Sequence, residues 1–320
     1  MYRVIMVPID GSAFSREALF QGLRIARKTN AQLRLVRVTS ILGLVGGPET
    51  VALENTARAA EREGVLGDLY RLAAECRANS SIDITASVED GPVADALCGH
   101  ARRNNVDLIV MATHARRGMA RVWHGSVADR LIRETRLPVI IVRPPSIATE
   151  LVDGPCYKRI VVALDGSALA EKSLDAAVSL AELEHAELTL LRIVHSAKDI
   201  RVGEMHSTIG PARARDVDEA ERYLASVRVR LSPRCTKLRS AVVVADDISV
   251  AIRGFAQKNN IDIIVIATHG RGGIARAVLG SVADSILSEG SLSALVINPG
   301  VTAGASVFQA ADAEQTVVLG

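Results

Sequence analysis

The chain repeats itself. Shifting the sequence by 155 residues lays Ile9-Asp10-Gly11-Ser12 on Leu164-Asp165-Gly166-Ser167, and Gly125-Ser126-Val127-Ala128-Asp129 on Gly280-Ser281-Val282-Ala283-Asp284. Between Ala101–Asp129 and Ala256–Asp284, 18 of 29 positions are identical, so one register serves both ends of the unit. A period of that length is too long for a solenoid and makes the 320 residues a tandem duplication of one domain. The sequence places domain one at 1–145, a linker at 146–157 beside Pro144-Pro145 and Gly154-Pro155, domain two at 158–300 and a tail at 301–320.

Within the first copy, Val4–Ile9 is apolar without alternation, the pattern of a strand buried on both faces. Ser12 or Ser15 then opens a helix to about Lys28, and Leu33–Val38 is the second strand. Past a loop containing Gly43, Gly46 and Gly47, the pattern predicts a helix over Thr50–Arg77, a strand at Ile82–Val88 and a helix over Val93–Arg103. A strand at Val106–Thr113, a helix over Ser126–Arg136 and a strand at Val139–Val142 complete the unit. This alternation predicts an α/β chain of two tandem, doubly wound, five-stranded parallel-sheet domains of Rossmann-like type. The final strands, Val139–Val142 and Ala294–Ile297, would be edges that need cover.

Composition removes several classes of partner. Hydrophobic residues at 48% and charged residues at 23% describe a globular protein rather than a disordered one. Aromatic residues are only 3%, too few for platforms that stack single-stranded nucleic acid. Residues 1–150 carry 20 Lys/Arg against 16 Asp/Glu and the rest carry 18 against 20, so neither copy has the basicity of a nucleic-acid-binding surface. No apolar run reaches the roughly 18 residues of a membrane span, and the run within Met1–Asp10 is too short for a signal peptide, which predicts no membrane partner and a cytoplasmic protein. Cys76, Cys98, Cys156 and Cys235 lack CxxC spacing, so reduced thiols are favoured over a zinc site or disulfides.

In open parallel sheets a ligand lies beyond the carboxyl ends of the strands, where the strand order reverses. At that edge the first strand delivers Asp10-Gly11-Ser12, and the fourth delivers Ala112-Thr113-His114-Ala115 and a loop to Gly125-Ser126. The second copy delivers Asp165-Gly166-Ser167, then Ala267-Thr268-His269-Gly270 and a loop to Gly280-Ser281. A glycine and a serine opening a helix present N–H groups and a hydroxyl where the helix dipole favours an anion, and phosphate is the natural guest. The stretch Gly270-Arg271-Gly272-Gly273-Ile274-Ala275 matches GxGxxA, but it follows a fourth strand rather than a first and has no ribose-binding acid at the right distance. Phosphate-loop, HExxH and GxSxG motifs are missing from the sequence.

At these residues the chain resembles the universal stress protein family, specifically its tandem-domain members, over residues 1–298. That family's signature, G-x2-G-x9-G-[ST] after the fourth strand, reads Ala267-x2-Gly270-x9-Gly280-Ser281 here in domain two and Ala112-x2-Ala115-x9-Gly125-Ser126 in domain one. The resemblance implies an ATP site, with or without Mg2+, in which Val38 and Ile193 face adenine and Asp10 and Asp165 lie beside the nucleotide. It also implies that the final strands pair across the two domains as an internal pseudo-dimer. A homodimer of chains and an unidentified protein partner are left open.

Each residue has a plainer reading. Asp10 and Asp165 could cap the helices that follow, and Gly125-Ser126 could be only a turn. His114 and His269 have no evident nucleophile beside them, Arg116, Arg121, Arg271 and Arg276 could be solvated rather than phosphate-facing, and Trp123 reads as a packing residue. The expected function is ATP binding by a stress-response sensor or regulator with at most slow ATP hydrolysis. The alternative is a protein-binding or small-ligand module whose nucleotide sites have decayed, as the alanines at 112, 115 and 267 suggest. Domain two, which keeps Gly270 where domain one has Ala115, is expected to be the better binder.

Overall fold

In the computed structural model, residues 2–39, 48–78, 81–113, 126–143, 157–195, 211–268, 280–289 and 292–298 are described. They fall into two compact units, 2–143 and 157–298. The first runs β1 (Val4–Pro8), α1 (Ala13–Thr29), β2 (Gln32–Thr39), α2 (Pro48–Ala78), β3 (Ile84–Asp90), α3 (Val93–Arg103), β4 (Leu108–Ala112), α4 (Ser126–Thr135) and β5 (Val139–Val142). Its strands lie in the order β3-β2-β1-β4-β5, all parallel. Ile5, Met6 and Val7 are fully buried because β1 is central and covered on both faces. Each such side chain contributes roughly 1.5–3 kcal/mol by leaving water.

The second unit runs β6 (Arg159–Ala163), α5 (Ala168–Glu171), α6 (Leu174–Glu184), β7 (Glu187–His195), α7 (Pro211–Leu231), β8 (Leu238–Ala245), α8 (Ile248–Lys258), β9 (Ile263–Ala267), α9 (Ser281–Glu289) and β10 (Ser293–Ile297). Its parallel order is β8-β7-β6-β9-β10, the same winding as the first. In both units the order reverses beside the first strand, between β1 and β4 and between β6 and β9.

Local contacts repeat with the sequence. The Asp107 carboxylate accepts from the N–H groups of Arg3 and Val4 at 2.8 and 3.1 Å, and Asp262 accepts from Lys158 and Arg159 at 2.6 and 2.8 Å. Each carboxylate ties the start of its central strand to the turn that feeds the fourth. Ser12, rather than Ser15, caps α1 by accepting the Ser15 N–H at 3.1 Å, and Asn30 ends the helix in a left-handed conformation.

One local difference separates the copies. The continuous helix α1 becomes the pair α5 and α6, and the break falls where Ser173 replaces Ala18. Ser173 is fully buried, and its hydroxyl donates to the Ala170 carbonyl at 2.6 Å while its N–H bonds the same oxygen at 3.1 Å. This tighter turn, three residues rather than four apart, is what a buried serine hydroxyl competing for a helical carbonyl produces.

Candidate functional site

The chain leaves each central strand through the same turn. Asp10 Oδ1 accepts the Ser12 N–H at 2.9 Å, and Asp165 Oδ1 accepts the Ser167 N–H at 2.8 Å. The serines cap the helices, so the aspartates close the turn upstream instead of capping. Gly11 and Gly166 between them have φ of +84° and +82°, which a side chain would strain. An arginine from the next strand lies against each glycine: a Cβ on Gly11 would be 3.4 Å from Arg37 Nη1, and one on Gly166 would be 2.6 Å from Arg192 Nη1.

In the second unit Asp165 of this turn lines a cavity of about 620 Å³ at the carboxyl ends of β6, β7 and β9, where the strand order reverses. Its sides are aliphatic: Leu191 and Ile193 of β7, Ile248 and Ile252 of α8, and Ile266 of β9. Its polar groups are Asp165, Thr268, and Gly280-Ser281 at the start of α9. Five of the six domain-two residues singled out from the sequence, Asp165, Ile193, Ala267, Gly280 and Ser281, line this one cavity. The sixth, Gly270, lies outside the described residues. The volume is in the range of small-ligand sites, and an aliphatic lining with a few polar groups suits a ligand with an apolar part and an anionic part.

The first unit places Asp10 after β1, Val38 near the end of β2, Ala112 at the end of β4 and Ser126 at the start of α4. Ala115 and Gly125 lie outside the described residues, as do His114, Arg116, Arg121, Trp123, His269, Arg271, Arg276 and Cys156. Val38 pairs in register with Glu89 of β3. Glu89 accepts from Arg103 at 2.7 Å and faces His100 Nδ1 at 2.7 Å, while His100 itself is only 2% exposed. Burial pushes the His100 imidazole below its ordinary range despite the carboxylate. Burial also acts to raise Glu89, but the hydrogen bonds from His100 and Arg103 outweigh it and hold the carboxyl low.

Sequence reading missed both this cluster and the Arg37 and Arg192 contacts. The arginines occupy the same place in both copies, which marks the position but not the glycine each packs on. His100 has no such mark, because its counterpart is Phe255 and a histidine on a buried helix face reads as packing. Among the described residues no group of three or more His, Cys, Asp or Glu could hold a metal ion, and no helix is long and apolar enough to cross a membrane. Cys76, Cys98 and Cys235 are buried free thiols, with burial pushing Cys98 up to about 11.

Comparison with known proteins decides the family. The universal stress protein family model matches twice, over residues 1–143 and 156–298. The chain belongs to the universal stress protein family. It is a tandem member of this stress-response group. It is 27% identical over 289 residues to universal stress protein Rv2005c of Mycobacterium tuberculosis, covering 88% of this chain and 92% of that one. It is 30% identical over 147 residues to universal stress protein MJ0531 of Methanocaldococcus jannaschii, covering 45% of this chain and 84% of that one. Among solved structures, a universal stress protein from Archaeoglobus fulgidus aligns with a TM-score of 0.62 at 17% identity, covering 93% of this chain and 98% of that one, which is a likeness of fold.

Proposed function

We propose that the second unit binds ATP in its cavity and that the protein acts in the stress response as a nucleotide-dependent sensor or regulator in the cytoplasm. The observation that supports this is the convergence of Asp165, Ile193, Ala267, Gly280 and Ser281, far apart in sequence, on one cavity at the switch point. The aliphatic slot between Ile193 and Ile252 suits a purine face, and the start of α9 supplies unpaired N–H groups and the Ser281 hydroxyl for phosphate. Among the described residues Asp165 is the only acid on the cavity wall, so Mg2+, if bound, would be held chiefly by the phosphates. One carboxylate engaged with a backbone N–H is a poor general base, which fits binding with at most slow hydrolysis.

A second reading, a small-ligand or protein-binding module with a decayed nucleotide site, draws on Ala267, whose methyl stands on the wall where the family pattern has glycine. Calorimetric titration of the intact chain with ATP separates the two. Saturable binding that is lost on blocking the cavity with Ala267→Phe supports the nucleotide reading, and no detectable heat at millimolar ATP favours the second.

A further inference from the structure

We propose that Arg192 is a positioning residue of this cavity: its guanidinium, held behind the Asp165-Gly166-Ser167 turn, offsets the Asp165 charge and thereby lets the cavity take ligands carrying several phosphates as well as their uncharged parents. The inference rests on the nucleotide reading above and adds a determinant of charge tolerance to it.

Arg192 neighbours Ile193 on β7, so strand alternation sends its side chain to the face opposite the Ile193 wall. There its Nη1 comes to 2.6 Å from where a Cβ on Gly166 would stand, and its Cζ lies 5.1 Å from the centre of the Tyr223 ring. The guanidinium is thus packed between a bare glycine backbone and an aromatic face, a geometry that attracts a cation and limits its rotation. Burial, with Glu171 nearby, raises the Tyr223 phenol well above its ordinary range, so the ring stays uncharged. Glu171 is itself paired to Arg230 at 2.7 Å.

A carboxylate on the wall of a cavity repels an anionic ligand, and the repulsion grows with each added phosphate. A cation packed against the adjoining residue offsets part of that repulsion without occupying the cavity, since Arg192 is not part of its lining. The first copy repeats the arrangement, with Arg37 against Gly11.

The test compares adenosine, AMP, ATP and inorganic tripolyphosphate as ligands of the intact wild-type chain, Arg192→Met and Arg192→Lys, at low and high salt. Arg192→Met should weaken ATP and tripolyphosphate by about tenfold, AMP by less, and leave adenosine within about twofold. Arg192→Lys should restore most of the loss, and the difference should shrink as salt rises. Should Arg192→Met fail to fold, Tyr223→Leu, which removes only the ring, should give a smaller loss graded in the same order. Equal losses for all four ligands, or none, would overturn the proposal by reducing Arg192 to packing. A chain that binds tripolyphosphate in an Arg192-dependent way but neither adenosine nor ATP would overturn the nucleotide reading alone. Binding of none of the four would overturn both.

Discussion

Val38 stands directly opposite Glu89 across the β2–β3 ladder, whereas its counterpart Ile193 stands opposite Val243 across β7–β8. Register partners in a parallel pair point to the same face. The strand wall beside the first copy's candidate site therefore ends in a carboxylate clamped by His100 and Arg103, and that of the second ends in an aliphatic residue.

This difference, together with Ala115 in place of Gly270, should make the two copies unequal as ligand sites. If the loop at that position calls for a left-handed residue, alanine in place of glycine costs roughly 1–2 kcal/mol, a weakening of about five- to thirtyfold. Calorimetry of the intact chain with ATP should resolve one strong site, or one strong and one weak, and Gly270→Ala should reduce the distinction. Two equal sites in the wild-type chain would sink the prediction.

The Ser281 hydroxyl is on the cavity wall at the first residue of α9. If it bonds a phosphate, Ser281→Ala should lose on the order of 1.5–3 kcal/mol, the usual worth of a hydrogen bond to a charged group, and ATP affinity should fall at least about tenfold. Adenosine affinity should change little. An unchanged ATP dissociation constant would remove Ser281 from the site.

Much of this was legible in the sequence, because periodicity reports burial directly. The run Val4–Pro8 has no polar alternation, and it is the central strand; the duplication then carries the same reading to Arg159–Ala163. The convergence of Asp165, Ala267 and Ser281 followed from topology, since parallel strands deliver their ends to one edge. What could not be read was chemistry made between elements distant in sequence. Nothing near Gly166 announces that Arg192 packs on it, and nothing near Glu89 announces His100. The broken helix at Ser173 was equally hidden, because a serine is tolerated in a helix until burial leaves its hydroxyl only a local carbonyl to bond.

Gly166 should tolerate alanine less well than Gly11. Both have positive φ and so share a strain of roughly 1–2 kcal/mol. At Gly166 the added methyl would also meet Arg192 Nη1 at 2.6 Å, and that guanidinium is held on its other side by Tyr223, while at Gly11 the contact would be an ordinary 3.4 Å. In denaturant unfolding of the full chain, Gly166→Ala should lower the midpoint more than Gly11→Ala. Equal shifts, or the reverse order, would show that the arginine moves aside freely.

The His100–Glu89 pair should make the first unit sensitive to mild acid. His100 is buried, and with Glu89 at 2.7 Å from Nδ1 the neutral ring donates there and leaves Nε2 as a buried acceptor. A proton added at Nε2 would place charge in a buried position that also feels Arg34 and Arg103. The folded-state pKa is therefore lower than the ordinary value of 6.5, and the unfolded chain binds the proton more readily. The corresponding stability is fully present above about pH 6.5 and is lost as pH falls from there through the folded-state value. Glu89, whose carboxyl is also held low, acts in a separate window beginning near its ordinary value of 4.5. Replacing His100 by phenylalanine, the residue at the same place in the second copy, removes the proton-binding group and keeps the buried volume. Between pH 7.5 and 5.5 the unfolding midpoint of the wild-type chain should therefore fall more steeply than that of His100→Phe, and the two curves should run parallel above pH 7. Parallel curves across the whole range would show that His100 contributes nothing to the acid response.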